Sequence, residues 1–119
     1  MNTAPLALRD GRRLGVRPVQ ADDAGAQQAF VMALSPASRY RRFHVGLRRL
    51  PDSTLVQMTQ VDQQSHVAFV AHAGPAIVAD ARYVRRADGE AEFALAVGDD
   101  WQRQGVARRL LWRLAVDAA

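Results

Sequence analysis

Cysteine and lysine are both missing from the sequence. Without cysteine there is no disulfide, no thiolate metal ligand and no cysteine nucleophile. Without lysine there is no Schiff-base nucleophile and no Walker-type phosphate loop. The chain also has no side-chain amine to acylate, which leaves only its N-terminal amine. No stretch approaches the roughly 20 apolar residues of a membrane span. Met1 to Asp10 hold no apolar run long enough for a signal peptide. The histidines, His44, His66 and His72, lack the spacing of zinc ligands, so no metal is expected. These exclusions point to a soluble cytoplasmic protein that uses neither a membrane nor a metal.

At 119 residues the chain is one domain. Its 16 basic residues, all arginine, outnumber 12 acidic ones and give a net charge of +4. Guanidinium does not titrate off at moderate pH, so the sequence pI of about 10.9 is weak evidence for nucleic-acid binding. Arg41 and Arg42, then Arg48 and Arg49, recur along a helical stretch that also holds Tyr40 and Phe43. That stripe reads as a solvated helix face sooner than a nucleic-acid surface, and contact with an acidic protein or substrate is a third reading. Gly98 to Gly105 contain no G-x-G-x-x-G, which argues against a dinucleotide fold.

Residues 1–11 carry little pattern and read as a loose leader. Leu14, Val16 and Pro18 alternate as a short first strand. Acids at Asp22 and Asp23 mark a helix start, and Ser35-Pro36 marks a second, with a serine cap and a proline at the first helical position. Tyr40, Phe43, Leu47 and Leu50 are its apolar stripe, and Pro51-Asp52 opens a short helix holding Leu55 and Met58. Residues 66–73 form a nearly continuous apolar run, 76–85 a second strand after Gly74-Pro75, and 90–97 a third after Ala87-Asp88-Gly89. Ala107, Leu110, Leu111, Leu114, Ala115 and Ala118 then define a long amphipathic helix. The expected class is α+β (mixed α/β): strand, helices, three-strand antiparallel meander, helix.

The chemistry concentrates between Val97 and Arg113. A strand ends at Val97, and a helix begins near Gln104 or Gly105 with small neighbours and bare amides. Arg103, Arg108 and Arg109 crowd the positive end of that helix, where acids are preferred. Two readings are open: a phosphate or pyrophosphate cradle, or a solvated arginine face. On the third strand, Glu90, Glu92, Ala94 and Ala96 share one face, and Ala91, Phe93, Leu95 and Val97 the other. Glu92, beside two small alanines, is a candidate general base or a solvent-facing strand acid.

Gln102-Arg103-Gln104-Gly105-Val106-Ala107 resembles the Gln/Arg-x-x-Gly-x-Gly/Ala signature of the GNAT superfamily of N-acetyltransferases. The strand before it, the helix after it and the upstream meander match that context. Ala91 to Ala94, Asp100 to Gln102, Arg109 to Leu111, Ser38 to Phe43 and Thr59 to Asp62 resemble the bacterial protein-lysine acetyltransferase branch. The resemblance implies acetyl-CoA as cosubstrate and a primary amine, a protein lysine or a small molecule, as acceptor. It implies that Gln102, Arg103, Gln104, Gly105, Val106, Ala107 and Arg108 bind the coenzyme A pyrophosphate. It implies that Leu95, Ala96 and Val97 hold the pantetheine arm, and that Glu92 is the base for direct attack by the amine. Ala107 stands at the second glycine of the signature, and Gln104 where an arginine or glycine is common.

The family's fold continues beyond the motif helix, so the chain reads as a single incomplete GNAT domain lacking the C-terminal part. The exposed third-strand edge is expected to pair with a second copy as a homo-oligomer. The competing class is a non-catalytic or truncated GNAT-like module that binds coenzyme A or a protein partner.

Overall fold

The computed structural model describes residues 2–43 and 49–119. His44, Leu47 and Arg48, named above, lie outside the described residues. Five strands form one antiparallel sheet in chain order: β1 (Leu6–Ala7), β2 (Arg13–Pro18), β3 (His66–Ala73), β4 (Ala76–Arg85) and β5 (Ala91–Val97). Between β2 and β3 come a 3₁₀ turn (Ala21–Asp23) and the helices α1 (Ala24–Ala33), α2 (Pro36–Phe43) and α3 (Asp52–Thr59). After β5 a second 3₁₀ turn (Asp99–Trp101) leads into α4 (Val106–Ala118).

The helix starts follow from local chemistry. The Asp23 carboxylate accepts the Gln20 amide at 2.7 Å and is gripped by both outer nitrogens of Arg17. At the start of α2, Ser35 Oγ accepts the Ser38 amide at 3.1 Å. The apolar stripe expected along α2 is weaker than its sequence suggests: Tyr40 is 59% exposed and Phe43 is half-buried. Of this helix's described residues only Ser38 is buried.

The leader expectation is corrected. Residues 1–11 include β1, which pairs Leu6 with Leu14 and Ala7 with Arg13 around a turn at Gly11. Leu6 and Leu8 are buried. A two-residue strand is too short to show a period in sequence. The segment is tied down from α4: Arg109 donates to the Ala7 carbonyl at 2.6 Å and Arg113 to that of Ala4 at 2.6 Å.

The sheet has a core on each face. On one, Leu14, Phe69, Ala81, Leu110 and Leu114 pack α4 against the strands. On the other, Phe30, Val31, Leu55, Met58 and Val70 pack α1 and α3. Asp80 and Arg82 of β4 lie within this second face, 2% and 3% exposed. Arg82 grips Asp80 with Nε, at 2.8 Å, and Nη2. Gln27 of α1 donates to Asp80 at 2.6 Å, and Arg82 Nη1 donates to the Met58 carbonyl at the end of α3 at 3.0 Å. One ion pair therefore fastens two helices to the sheet.

Burial pushes the Asp80 carboxyl up, but the adjoining guanidiniums and the Gln27 amide outweigh it and hold it below its ordinary value. Its contribution to stability is complete above the unfolded value of about 3.9 and is lost as pH falls through the lower folded one. Asp80→Asn is expected to lower stability at pH 7 by about 3–5 kcal/mol, because Arg82 is left buried without its counter-charge. Urea denaturation checks this, and the gap to the unaltered chain narrows once pH drops below about 4.

Candidate functional site

The site forms where β5 leaves the sheet. Gly98 donates its amide to the Val78 carbonyl at 2.7 Å, and a Cβ there would come within 3.2 Å of that oxygen. The chain makes its 3₁₀ turn, and Gln102 Nε2 reaches back to the Val97 carbonyl at 3.1 Å. That bond closes the loop onto the strand end. Arg103 (φ 63°) and Gly105 (φ 78°) both take the left-handed conformation. Glycine adopts it freely and arginine does not. The helix expected from Gln104 or Gly105 begins at Val106, with Gly105 as its cap residue.

The first bond of α4 runs from the Arg109 amide to the Gly105 carbonyl at 3.1 Å. The amides of Val106, Ala107 and Arg108 precede it and have no intrahelical acceptor. Among the described residues no side chain caps this end. A hollow of about 260 Å³ lies over these amides, lined by Val97, Trp101, Gln102, Arg103, Gly105, Val106, Ala107 and Arg108. The positive helix end and two exposed arginines, Arg103 and Arg108, make it suited to a phosphate-type anion. A second cleft of about 290 Å³ adjoins it, sharing Val97, Gln102 and Ala107. Its remaining walls are Leu95 and Ala96 on β5 and Ser38, Arg41 and Arg42 on α2. A phosphate in the first hollow and an extended arm along β5 fit this pair of spaces.

Nine of the ten residues expected to hold the cofactor line one or both spaces. Gln104 is half-buried and lines neither. Arg109, grouped by sequence with the positive helix start, instead spends its guanidinium on Ala7. Glu92 stands apart, three residues before Leu95, or about 10 Å along the strand. Its side chain is 65% exposed and accepts Arg86 Nη1 at 2.7 Å. Cross-strand register puts it in one row with Val84 and His66, followed by the rows Ala94–Arg82–Ala68 and Ala96–Asp80–Val70. These rows share the α1–α3 face, so Glu92 lies on the face where Ala96 borders the cleft.

Sequence reasoning missed Ser38 and Trp101 as lining residues, and it read Arg41 and Arg42 first as a solvated stripe, with contact to an acidic partner as the alternative. Arg12 stacks on Trp101, 4.0 Å from the ring centroid, which bolts the loop to the start of β2. The only local signal was the pairing of arginines with aromatics on a short helix. A larger apolar groove of about 500 Å³ lies between α1 and the start of β4, but its charged walls are Asp99 and Asp100, the wrong sign for an anion. Among the described residues no His, Asp and Glu group is gathered to hold a metal.

No protein-family model matches the chain. It is 32% identical over 118 residues to an acetyltransferase of Pseudomonas aeruginosa, covering 95% of this chain and 63% of that protein. It is 32% identical over 118 residues to the acetyltransferase Pat of Mycolicibacterium smegmatis, covering 96% of this chain and 35% of that one. The chain thus spans less than two thirds of either curated relative. Its fold is similar to the crystal structure of the GNAT domain of S. lividans PAT, with a TM-score of 0.90 and 35% identity. That match covers 97% of this chain and 70% of the other.

A Cβ at Gly105 would meet nothing within 4 Å, so alanine there is opposed by backbone strain alone. Gly105→Ala is expected to cost about 1 kcal/mol in chemical denaturation. Gly105→Asn should cost less, because asparagine tolerates the left-handed region.

Proposed function

This chain belongs to the GNAT superfamily of acetyltransferases, and on that footing we propose that it transfers an acetyl group from acetyl-CoA to a primary amine. The observation that carries the reading is the convergence of the last residues of β5 with an uncapped, arginine-bearing helix start. Gln102, Arg103, Gly105, Val106, Ala107 and Arg108 then form the pyrophosphate cradle, with the free amides of Val106 to Arg108 and the guanidiniums of Arg103 and Arg108 as donors, and Gln104 flanks it in sequence without lining either space. Leu95, Ala96 and Val97 hold the pantetheine arm. β5 is the last strand in the sheet order, so alternate backbone groups along its outer edge can bond an extended arm.

Acetyl-CoA supplies an activated thioester, whose acyl carbon bonds to the amine nitrogen as the C–S bond breaks and coenzyme A leaves as its thiol. An amine of pKa about 10.4 is mostly protonated at neutral pH and must lose a proton first. Glu92 takes that proton, directly or through water. To do so its carboxylate must let go of Arg86. A β5 amide near Leu95 to Val97 stabilises the negative charge that develops on the carbonyl oxygen. The acceptor in this reading is a protein lysine or a small-molecule amine.

The exposure of Glu92 and its bond to Arg86 favour a second reading, a module that binds coenzyme A without turnover. Calorimetric titration with acetyl-CoA, followed by an assay of thiol release with a lysine peptide, separates the two. Arg103→Ala and Arg108→Ala should each weaken acetyl-CoA about 10- to 100-fold, as expected for loss of a charged hydrogen bond. Glu92→Gln should leave acetyl-CoA affinity in place and cut kcat about 10²- to 10⁴-fold. Binding without turnover supports the module. Failure to bind acetyl-CoA sinks both readings.

A further inference from the structure

The second cleft carries a cation that its surroundings do not neutralise. Asp80 is the buried carboxylate beside it, and its oxygens are already taken by Arg82 Nε, Arg82 Nη2 and Gln27 Nε2. Arg82 is satisfied in turn by Asp80, the Met58 carbonyl and His66 Nε2 at 3.0 Å. His66 is pulled below its ordinary value by burial and by the Arg82 charge, so it faces this cluster neutral. Arg42 comes close enough to feel Asp80 and Arg82. Its Nε is buried with no hydrogen-bond partner among the described residues, and its guanidinium rests over the Phe43 ring, 4.7 Å from the centroid.

The charges therefore do not balance: one carboxylate stands against two guanidiniums. Arg41 adds a third on the same wall, its Nη2 donating to Ser38 Oγ at 3.0 Å. Arg42 is half-buried and its guanidinium stays charged, and a buried donor such as its Nε is costly to leave without an acceptor. Arg42 lines the cleft with Ala96, on the face that carries Glu92. A carboxylate entering there would give Arg42 the bidentate acceptor it lacks.

We propose that Arg42, assisted by Arg41, forms a carboxylate-binding subsite beside the acyl-transfer position. This inference rests on the acyltransferase reading and narrows its substrates to those that bring an acid group next to the new amide. Two sources supply the same chemistry: a dicarboxylic acyl chain on the donor, of the succinyl class, or a carboxylate adjacent to the accepting amine.

Calorimetry on the full chain and on Arg42→Gln distinguishes them. The donor arm compares coenzyme A, acetyl-CoA and succinyl-CoA. The acceptor arm compares Nα-acetyl-lysine with its amide, each added to the chain saturated with coenzyme A. A donor acid predicts that succinyl-CoA binds at least about tenfold more tightly than acetyl-CoA. An acceptor acid predicts the same ratio for Nα-acetyl-lysine over its amide. In either case Arg42→Gln erases the preference, and Arg42→Lys, which keeps the charge without the fork, retains only part of it. Equal affinities in both arms of the unaltered chain, or a preference that survives Arg42→Gln, overturn the subsite. Coenzyme A binding without either preference sinks the subsite alone. No coenzyme A binding sinks the acyltransferase reading and the subsite with it.

Discussion

The ion pair between Asp80 and Arg82 is the constraint on which the helical face of the molecule depends. It sits in the middle of β4 and takes a bond from α1 through Gln27. It gives one to the end of α3 through Met58 and one to the start of β3 through His66. Such a pair adds little net stability, since desolvating both charges offsets their attraction. Its effect is positional. Hydrophobic contacts between helices and sheet are non-directional, whereas the hydrogen bonds of a buried polar network are directional and hold its members in register. The rows containing Asp80 and Arg82 continue into Ala96 and Ala94 of β5, so the network also sets what lies under the cleft.

The candidate site is built from the ends of elements, where backbone groups run out of regular partners. β5 contributes an outer strand edge, and α4 contributes amides ahead of its first internal bond. The loop between them is short and held at several points: Gln102 on Val97, Gly98 on Val78, Trp101 under Arg12. Two left-handed residues then turn the chain into the helix. A concavity of this kind is suited to an anion without an elaborate side-chain set. The charged side chains of the adjoining cleft come from α2, opposite β5.

Much of this was legible in the chain itself. β4 spans Ala76–Arg85 as its apolar run and flanking turns suggest, and α4 follows the spacing of Leu110 and Leu114. The alternation along β5 puts Ala96 with the α1–α3 core and Leu95 and Val97 with the α4 core. The motif from Gln102 to Ala107 was readable because six consecutive residues carry it. β1 was not legible, because two residues show no period and their pairing depends on Leu14 across a turn. The weak burial of Tyr40 was not legible either, since α2 is amphipathic by charge and still packs little of its surface.

The sequence by itself determined the order of elements, the two faces of the strands and the glycine that lets α4 begin with free amides. These are local properties, written in periods of two and 3.6 residues and in the conformational freedom of one residue. Only the tertiary structure decided which arginines are spent and which are left over. Arg82, Arg109 and Arg113 are committed to partners 2, 102 and 109 positions away in the chain, while Arg42 is left facing the cleft. Sixteen identical guanidiniums look alike in sequence. Charge balance inside a fold depends on which carbonyls and carboxylates arrive within about 3 Å, and folding alone brings those groups together.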